Sequence, residues 1–152
     1  MNLKLARTNS EDPNFQTLVC ELDAELLERN GELQKKYESY NQLHYLDTVI
    51  VAYDDDKPVG CGCFKPFSDS AAEIKRMYVK KEFRNRGISS LILLELELWA
   101  LQHDFTKLIL ETGKSQHEAM QLYAKRGFKI IPNYGQYANM PNSICMQKLI
   151  VD

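Results

Sequence analysis

The chain has no basic surplus. Nineteen lysines and arginines stand against twenty-one aspartates and glutamates, a net charge of −2 over 152 residues. A nucleic-acid binder needs such a surplus, so no nucleic-acid partner is expected. There is also no long hydrophobic run. The most apolar stretch, residues 88–101, is interrupted by Ser89, Ser90, Glu95 and Glu97, which makes it too polar and too short to span a bilayer. No membrane partner is expected either. The opening residues Met1-Asn2-Leu3-Lys4-Leu5-Ala6-Arg7 contain no apolar segment of signal-peptide length, which predicts a cytoplasmic protein. Cysteine is sparse, and the four present are expected to be reduced thiols in that compartment. Cys61-Gly62-Cys63 is followed by no second Cys or His pair at zinc spacing, so it reads as two small residues on one strand face, and no metal is expected. The three histidines (His44, His103, His117) lie in no triad context that would make Cys145 a nucleophile. No repeat and no low-complexity linker divides the chain, which predicts one domain over residues 1–152.

What is present has a clear order. Leu3 to Arg7 alternates as a short strand. After Pro13, apolar residues at Phe15, Leu18, Val19, Leu22, Leu26 and Leu27 recur at helical spacing until Gly31. Residues 32–46 are polar and tyrosine-rich and suggest a second short helix with a loop. Strands over Thr48 to Tyr53 and Val59 to Phe64 flank the polar turn 54–58, and Ala71 to Val79 follows as a third. The period then changes: Leu91, Leu94, Leu98 and Leu101 form one helical stripe, and Ile92, Leu96 and Trp99 the next. A helix so apolar around its girth is expected to pack into a sheet. Lys107 to Thr112 reads as a buried strand, His117 to Lys125 as a helix ended by Gly127, and Lys129 to Ile131 and Ser143 to Ile150 as strands. The order predicts a mixed α/β (α+β) fold, antiparallel in its first half, with a crossover helix in the middle.

One strand is irregular. In residues 71–79 the apolar positions Ala72 and Ile74 are even-numbered, but Met77 and Val79 are odd. Strict alternation cannot bury both sets on one face. An inserted residue near Lys75 or Arg76, a β-bulge, reconciles them and frees backbone groups for a ligand; Met77 packing on the opposite face is the alternative. Then comes Arg84-Asn85-Arg86-Gly87-Ile88-Ser89-Ser90. Small residues at 87, 89 and 90 let a ligand approach the backbone, and the helix start with its arginines favours an anion of phosphate type. A plain helix cap is the alternative. It is neither a P-loop nor the two-glycine dinucleotide turn.

Residues Glu73 to Leu94 resemble the cofactor motif of the GNAT superfamily of N-acetyltransferases, whose turn reads Gln/Arg-x-x-Gly-x-Gly/Ala. Arg84, Gly87 and Ser89 hold those positions, with Ser89 departing from the usual Gly or Ala. Downstream, Leu122-Tyr123-Ala124-Lys125-Arg126-Gly127-Phe128 is similar to the family's second motif, and Gln116 stands where an Asn is common. The two motifs occur in the family's order, and the resemblance covers roughly residues 45–150. It implies a central mixed, mostly antiparallel sheet of about six or seven strands flanked by about four helices. It also implies acetyl transfer from acetyl-coenzyme A to a primary amine, by direct attack without an acyl-enzyme.

That chemistry needs a base, a polarised carbonyl and an acid. Glu73 stands where glutamate-using members carry the base; a solvated carboxylate paired with Lys75 is the alternative. Backbone N–H groups of Met77, Tyr78 and Val79 would polarise the carbonyl. Arg84, Asn85, Arg86, Gly87, Ile88, Ser89 and Ser90 would cradle the diphosphate, with Gln116 a further cofactor contact. Tyr123 is the candidate acid, because an ordinary phenol and a thiol ionise in similar ranges; packing beneath the cofactor is its alternative. The acceptor groove would be lined by Tyr37 to Tyr45 and Pro132 to Ser143, hence Tyr40, Tyr45, Tyr134 and Tyr137. Aromatic faces suit a cationic amine or a planar ring. Tyrosine-rich loops equally suit the interface of a homodimer, and both readings stay open. An acyl-coenzyme A sensor without turnover, and an interaction protein with a degenerate site, are the rival functions.

Overall fold

A computed structural model describes residues 1–31 and 44–151. The helix expected within residues 32–46 falls largely outside the described residues. The strands are β1 (Leu3–Thr8), β2 (Val49–Asp54), β3 (Lys57–Pro66), β4 (Ala71–Val79), β5 (Lys107–Gly113), β6 (Lys129–Ile131) and β7 (Ser143–Leu149). The helices among the described residues are α1 (Pro13–Asn30), α2 (Ile88–Gln102) and α3 (His117–Lys125). These bounds follow the sequence pattern to within a few residues.

The seven-stranded sheet has the order β1-β2-β3-β4-β5-β7-β6. Pairs β1–β2, β2–β3, β5–β7 and β6–β7 are antiparallel, and β4–β5 is parallel. Parallel neighbours require a crossover, which α2 supplies. This is the mixed, mostly antiparallel architecture that the strand order predicts.

The chain forms two compact units, Met1–Phe64 with Arg76–Leu96, and Lys65–Lys75 with Glu97–Asp152. The division passes through β4 between Lys75 and Arg76, and through α2.

In the first unit, α1 begins where Asp12 accepts a hydrogen bond from the Asn14 N–H at 2.8 Å, with Pro13 preset for the first turn. It ends where the Gly31 N–H donates to the Leu27 carbonyl, at φ +54°. Its inner stripe, Phe15 and Leu18, packs with Val49, Val51, Cys61 and Cys63 in a continuous core. The two β3 cysteines are therefore small core residues, and burial pushes the Cys61 thiol well above its usual range. That thiol stays protonated and donates to the Arg76 carbonyl at 3.3 Å.

Helix α2 lies close against β3 because β3 carries glycines there. A Cβ added at Gly62 would fall 2.5 Å from Met77 Sδ and 2.9 Å from Ile92 Cγ2, and one at Gly60 only 3.0 Å from the Tyr78 carbonyl oxygen. Ile88, Ile92 and Leu96 are buried in consequence. The other apolar stripe differs from expectation: Leu91, Leu94 and Leu98 are 44–51% exposed. A helix laid on one sheet face buries one side only, so apolar content around its whole girth exceeds what the sheet can cover.

The second unit is built on β5, buried at Leu108, Ile109 and Leu110, with β7 and β6 beside it. The Phe128 N–H donates to the Tyr123 carbonyl at 2.9 Å as the chain leaves α3.

Gly62→Val forces a branched side chain into the β3–α2 contact. Overpacking of this kind costs about 1–3 kcal/mol. Chemical denaturation is expected to show a loss of that size, whereas Leu94→Ala on the exposed stripe changes stability by less than about 1 kcal/mol.

Candidate active site

In the first unit the extended path of β4 breaks at Arg76, whose φ is +57°. A non-glycine residue in the left-handed region within a strand is an irregularity of the sort that the apolar phase change demands. The residue is secured from both sides. Its carbonyl accepts from Cys61, and its guanidinium Nη1 lies 2.6 Å from Asp23 Oδ1 on α1.

Beyond β4 comes a short 3-10 turn, Lys81–Phe83, and then the Arg84 to Gly87 segment. Asn85 (φ +64°) and Gly87 (φ +80°) both take left-handed backbone, which asparagine tolerates and glycine adopts freely. The Leu91 N–H donates to the Gly87 carbonyl at 3.2 Å, opening α2. The N–H groups of Ile88, Ser89 and Ser90, which precede that bond, have no backbone acceptor among the described residues. They are the orphan donors of a helix start, at the positive end of its dipole. A Cβ added at Gly87 would meet nothing within 4 Å. The turn is open where a ligand would arrive.

The two arginines of this turn differ. Arg84 Nε donates to the Val79 carbonyl at 2.9 Å, and Nη2 donates to both carboxylate oxygens of Glu25 at 2.8 and 2.9 Å. Arg84 thus straps the turn to β4 and to α1. Arg86 stacks over the Phe83 ring at 5.3 Å and makes no ion pair among the described residues, so its charge is available to an anion. Sequence reasoning missed the answering row on α1: Glu21 pairs with Lys80, Asp23 with Arg76 and Glu25 with Arg84. Those carboxylates look like an ordinary solvated helix face, and only the tertiary fold shows otherwise.

The same unit holds a cavity of about 530 Å³ lined by Phe15, Gln16, Val19, Tyr45 and Arg76, among others. Among the described residues, Tyr45 is the one proposed acceptor residue found there. Tyr37 and Tyr40 lie outside the described residues.

The second unit holds the two proposed catalytic side chains. Glu73 is not the solvated carboxylate of the alternative reading: it is 2% exposed. Its Oε2 accepts from the Tyr134 hydroxyl at 2.6 Å, and its Oε1 lies 3.7 Å from Lys65 Nζ and 3.9 Å from Lys75 Nζ. Lys75 Nζ also donates to the Tyr137 hydroxyl at 3.5 Å. Tyr134 and Tyr137 stack edge to face with centroids 5.7 Å apart, and Tyr137 is 1% exposed. The aromatic loop after β6 therefore folds inward, so Tyr137 is a packed phenol instead of a surface one. Burial first, then the Glu73 charge, pushes the Tyr134 phenol far above its usual range.

Tyr123 is buried against Phe128, centroids 5.7 Å apart. Burial, reinforced by Glu111, pushes its phenol above the usual tyrosine range. The balance with a thiol assumed from an ordinary phenol is shifted toward the protonated form. Gln116 caps α3 through its carbonyl, which accepts from the Met120 N–H at 3.0 Å. Glu111, which the sequence reading did not single out, accepts from Ser143 Oγ at 2.8 Å. The available signal was a carboxylate following the apolar run Leu108-Ile109-Leu110. Cys145 is wholly buried and its thiol is pushed up, mainly by desolvation, which suits a core residue and not a nucleophile.

Residues 12–128 match the model of the acetyltransferase (GNAT) family. The chain belongs to the GNAT acetyltransferase family. A curated relative, the IAA acetyltransferase of Azospirillum brasilense, is 33% identical over 155 residues, covering 97% of each protein. Among solved structures, a putative acyl-CoA N-acyltransferase from Klebsiella pneumoniae superposes with a TM-score of 0.77 at 27% identity, covering 99% of this chain and 97% of the other. The PaiA N-acetyltransferase of Thermoplasma acidophilum, solved in complex with coenzyme A, shares the fold with a TM-score of 0.73 at 20% identity, covering 98% of this chain and 99% of its own. The GNAT fold expected from the two motifs is the one observed. No helix among the described residues is long and apolar enough to cross a membrane.

The Arg84–Glu25 strap in this GNAT chain is testable apart from any ligand. The two side chains are 23% and 24% exposed. A double-mutant cycle with Arg84→Ala and Glu25→Ala, read by urea denaturation, is expected to give a coupling of about 0.5–1 kcal/mol that shrinks in high salt.

Proposed function

We propose that this protein transfers the acetyl group of acetyl-coenzyme A to a primary amine by direct attack. The observation that carries the reading is the α2 start: N–H groups of Ile88, Ser89 and Ser90 without backbone acceptors among the described residues, beside an open Gly87. Such a cradle fits a diphosphate, because backbone donors and the helix dipole both favour an anion there. Arg86 adds the uncommitted positive charge, while Arg84 keeps the turn in shape. Asn85 contributes its left-handed backbone to that turn. Solved relatives of the fold carry coenzyme A or acetyl-coenzyme A, which supports the same ligand here.

Acetyl-coenzyme A supplies an activated thioester. The chain's own contribution is positional and electrostatic. Backbone N–H groups of Met77, Tyr78 and Val79, just past the break at Arg76, are assigned to the thioester carbonyl. Gln116 is assigned a contact with the cofactor. Tyr123 is assigned to the departing sulfur. Its raised phenol donates a hydrogen bond to a thiolate more readily than it surrenders the proton, so its contribution is stabilisation of developing charge. Tyr45, on the cavity beside Arg76, is assigned to the acceptor.

Calorimetry with coenzyme A is the direct test. The wild-type chain is expected to bind, and Gly87→Val to lose the heat of binding, because the Cβ enters the open turn and the positive φ adds about 1–2 kcal/mol of strain. Retained affinity in Gly87→Val would count against the cradle. Tyr123→Phe is expected to keep coenzyme A affinity and to lower thiol release about tenfold in a panel of primary amines. Binding without thiol release from any amine would favour the acyl-coenzyme A sensor.

A further inference from the structure

We propose that Lys57, with Arg86 beside it on the Phe83 ring, binds the 3′-phosphate of coenzyme A and sets a preference for that cofactor over its dephosphorylated form. The proposal rests on the acetyltransferase reading and adds a second anion site to the cradle at the start of α2.

Every residue involved belongs to the first unit. The β2–β3 hairpin pairs Asp54 with Lys57, and the Lys80 N–H donates to the Val59 carbonyl at 2.9 Å. That bond ties the end of β4 to β3, so the 3-10 turn Lys81–Phe83 runs beside the hairpin. Phe83 is 9% exposed, and its ring is the common platform. Lys57 Nζ lies over it at 5.1 Å from the centroid, and Arg86 Cζ at 5.3 Å. The electron-rich face of an aromatic ring attracts a cation, and the contact holds a long side chain in place.

Two cations gathered at one ring repel each other. Neither forms an ion pair among the described residues. The other cations of this stretch contrast with them. Arg84 also lies over a ring, that of Tyr78 at 5.7 Å, but Glu25 answers it, as Glu21 answers Lys80 and Asp23 answers Arg76. Two acids of the hairpin turn are engaged elsewhere: Asp54 accepts from the Asn2 N–H and Asp55 from Asn2 Nδ2, both at 3.0 Å. Asp56 and Glu82, next in sequence to Lys57 and Phe83, pair with neither cation among the described residues.

What the pair lacks is a dianion. A phosphate monoester carries nearly two negative charges at neutral pH and offers several acceptor oxygens. Coenzyme A has one such group, the 3′-phosphate, a single ribose away from its diphosphate. Arg86 directly precedes Gly87, whose turn opens onto the N–H groups of Ile88, Ser89 and Ser90. A diphosphate in that cradle brings its ribose phosphate toward Arg86 and, across the Phe83 ring, toward Lys57. Backbone donors suit the diphosphate, and the paired cations suit the more highly charged monoester.

Calorimetry with coenzyme A and with dephospho-coenzyme A, which lacks only that phosphate, tests the assignment. At low salt wild type is expected to bind coenzyme A about tenfold more tightly, a preference that shrinks as salt rises. Lys57→Met keeps an unbranched apolar chain at Phe83 and removes the charge. It is expected to cut the preference below about threefold by weakening coenzyme A alone. Lys129→Met, which removes the same charge from β6, is expected to leave the preference intact. Phosphorus-31 NMR gives a second readout. A phosphate monoester ordinarily takes up a proton at about pH 6. Held by two cations, the 3′-phosphate is expected to stay dianionic below that pH in wild type and to return toward the ordinary range in Lys57→Met. Equal affinity of wild type for the two ligands overturns the proposal, and so does an equal loss for both in Lys57→Met. A preference narrowed as much by Lys129→Met belongs to net charge, and that result overturns it too. The two levels fail differently. Wild type that binds neither ligand removes the acetyltransferase reading and the proposal with it, while wild type that binds both alike removes only the 3′-phosphate site.

Discussion

The closeness of α2 to β3 is the constraint on which the Gly87 turn and the start of α2 depend. Side chains larger than hydrogen at Gly60 and Gly62 would collide with Met77, Ile92 and the Tyr78 carbonyl. Because those positions are bare, Ile88, Ile92 and Leu96 seat the helix directly on the strand. A helix held along its length has a fixed first turn. Its unpaired N–H groups then converge without the reorganisation that a frayed end would require, and preorganised donors of this kind give a site most of its electrostatic effect.

Charge on α1 complements this. Glu21, Asp23 and Glu25 meet Lys80, Arg76 and Arg84, three cations spread over the stretch that runs from the β4 break into the turn. Singly, such partly exposed pairs contribute little. Together they fix the path of a segment that has irregular backbone at Arg76, Asn85 and Gly87. They also neutralise Arg84, one of the two arginines that looked, in sequence, like anion receptors. Among the described residues, the backbone donors at the start of α2 and the Arg86 side chain are left without an acceptor or an ion pair, a more directional arrangement than a cluster of mobile cations.

Much of this was legible in the sequence, for local reasons. Alternation marked the strands, 3.6-residue spacing marked the helices, and the phase change between Ile74 and Met77 marked the irregularity found at Arg76. Small residues at 87, 89 and 90 marked the turn. What escaped depends on distant partners. Glu25 and Arg84 are 59 residues apart, and no periodicity links them. The exposed stripe Leu91, Leu94 and Leu98 misled because hydrophobicity counts what could be buried, while burial depends on how many layers cover the helix. For Tyr134 and Tyr137, read as lining an acceptor groove or a dimer interface, nothing in the sequence pointed to the buried carboxylate and the lysine that their hydroxyls meet.

Glu73 and Glu111 in the second unit show how position along a ladder sets the partners that a carboxylate meets. Glu73 sits on the last β4–β5 rung, where two lysine ammonium groups and the Tyr134 phenol surround it. Glu111 lies beyond that rung, where one neighbour is lost and a single neutral hydroxyl remains. Desolvation, only partly offset by Ser143 and Lys75, raises its carboxyl above the usual glutamate range. A β-ladder that stops short thus leaves the carboxylate beyond its end with fewer partners than the one on its last rung.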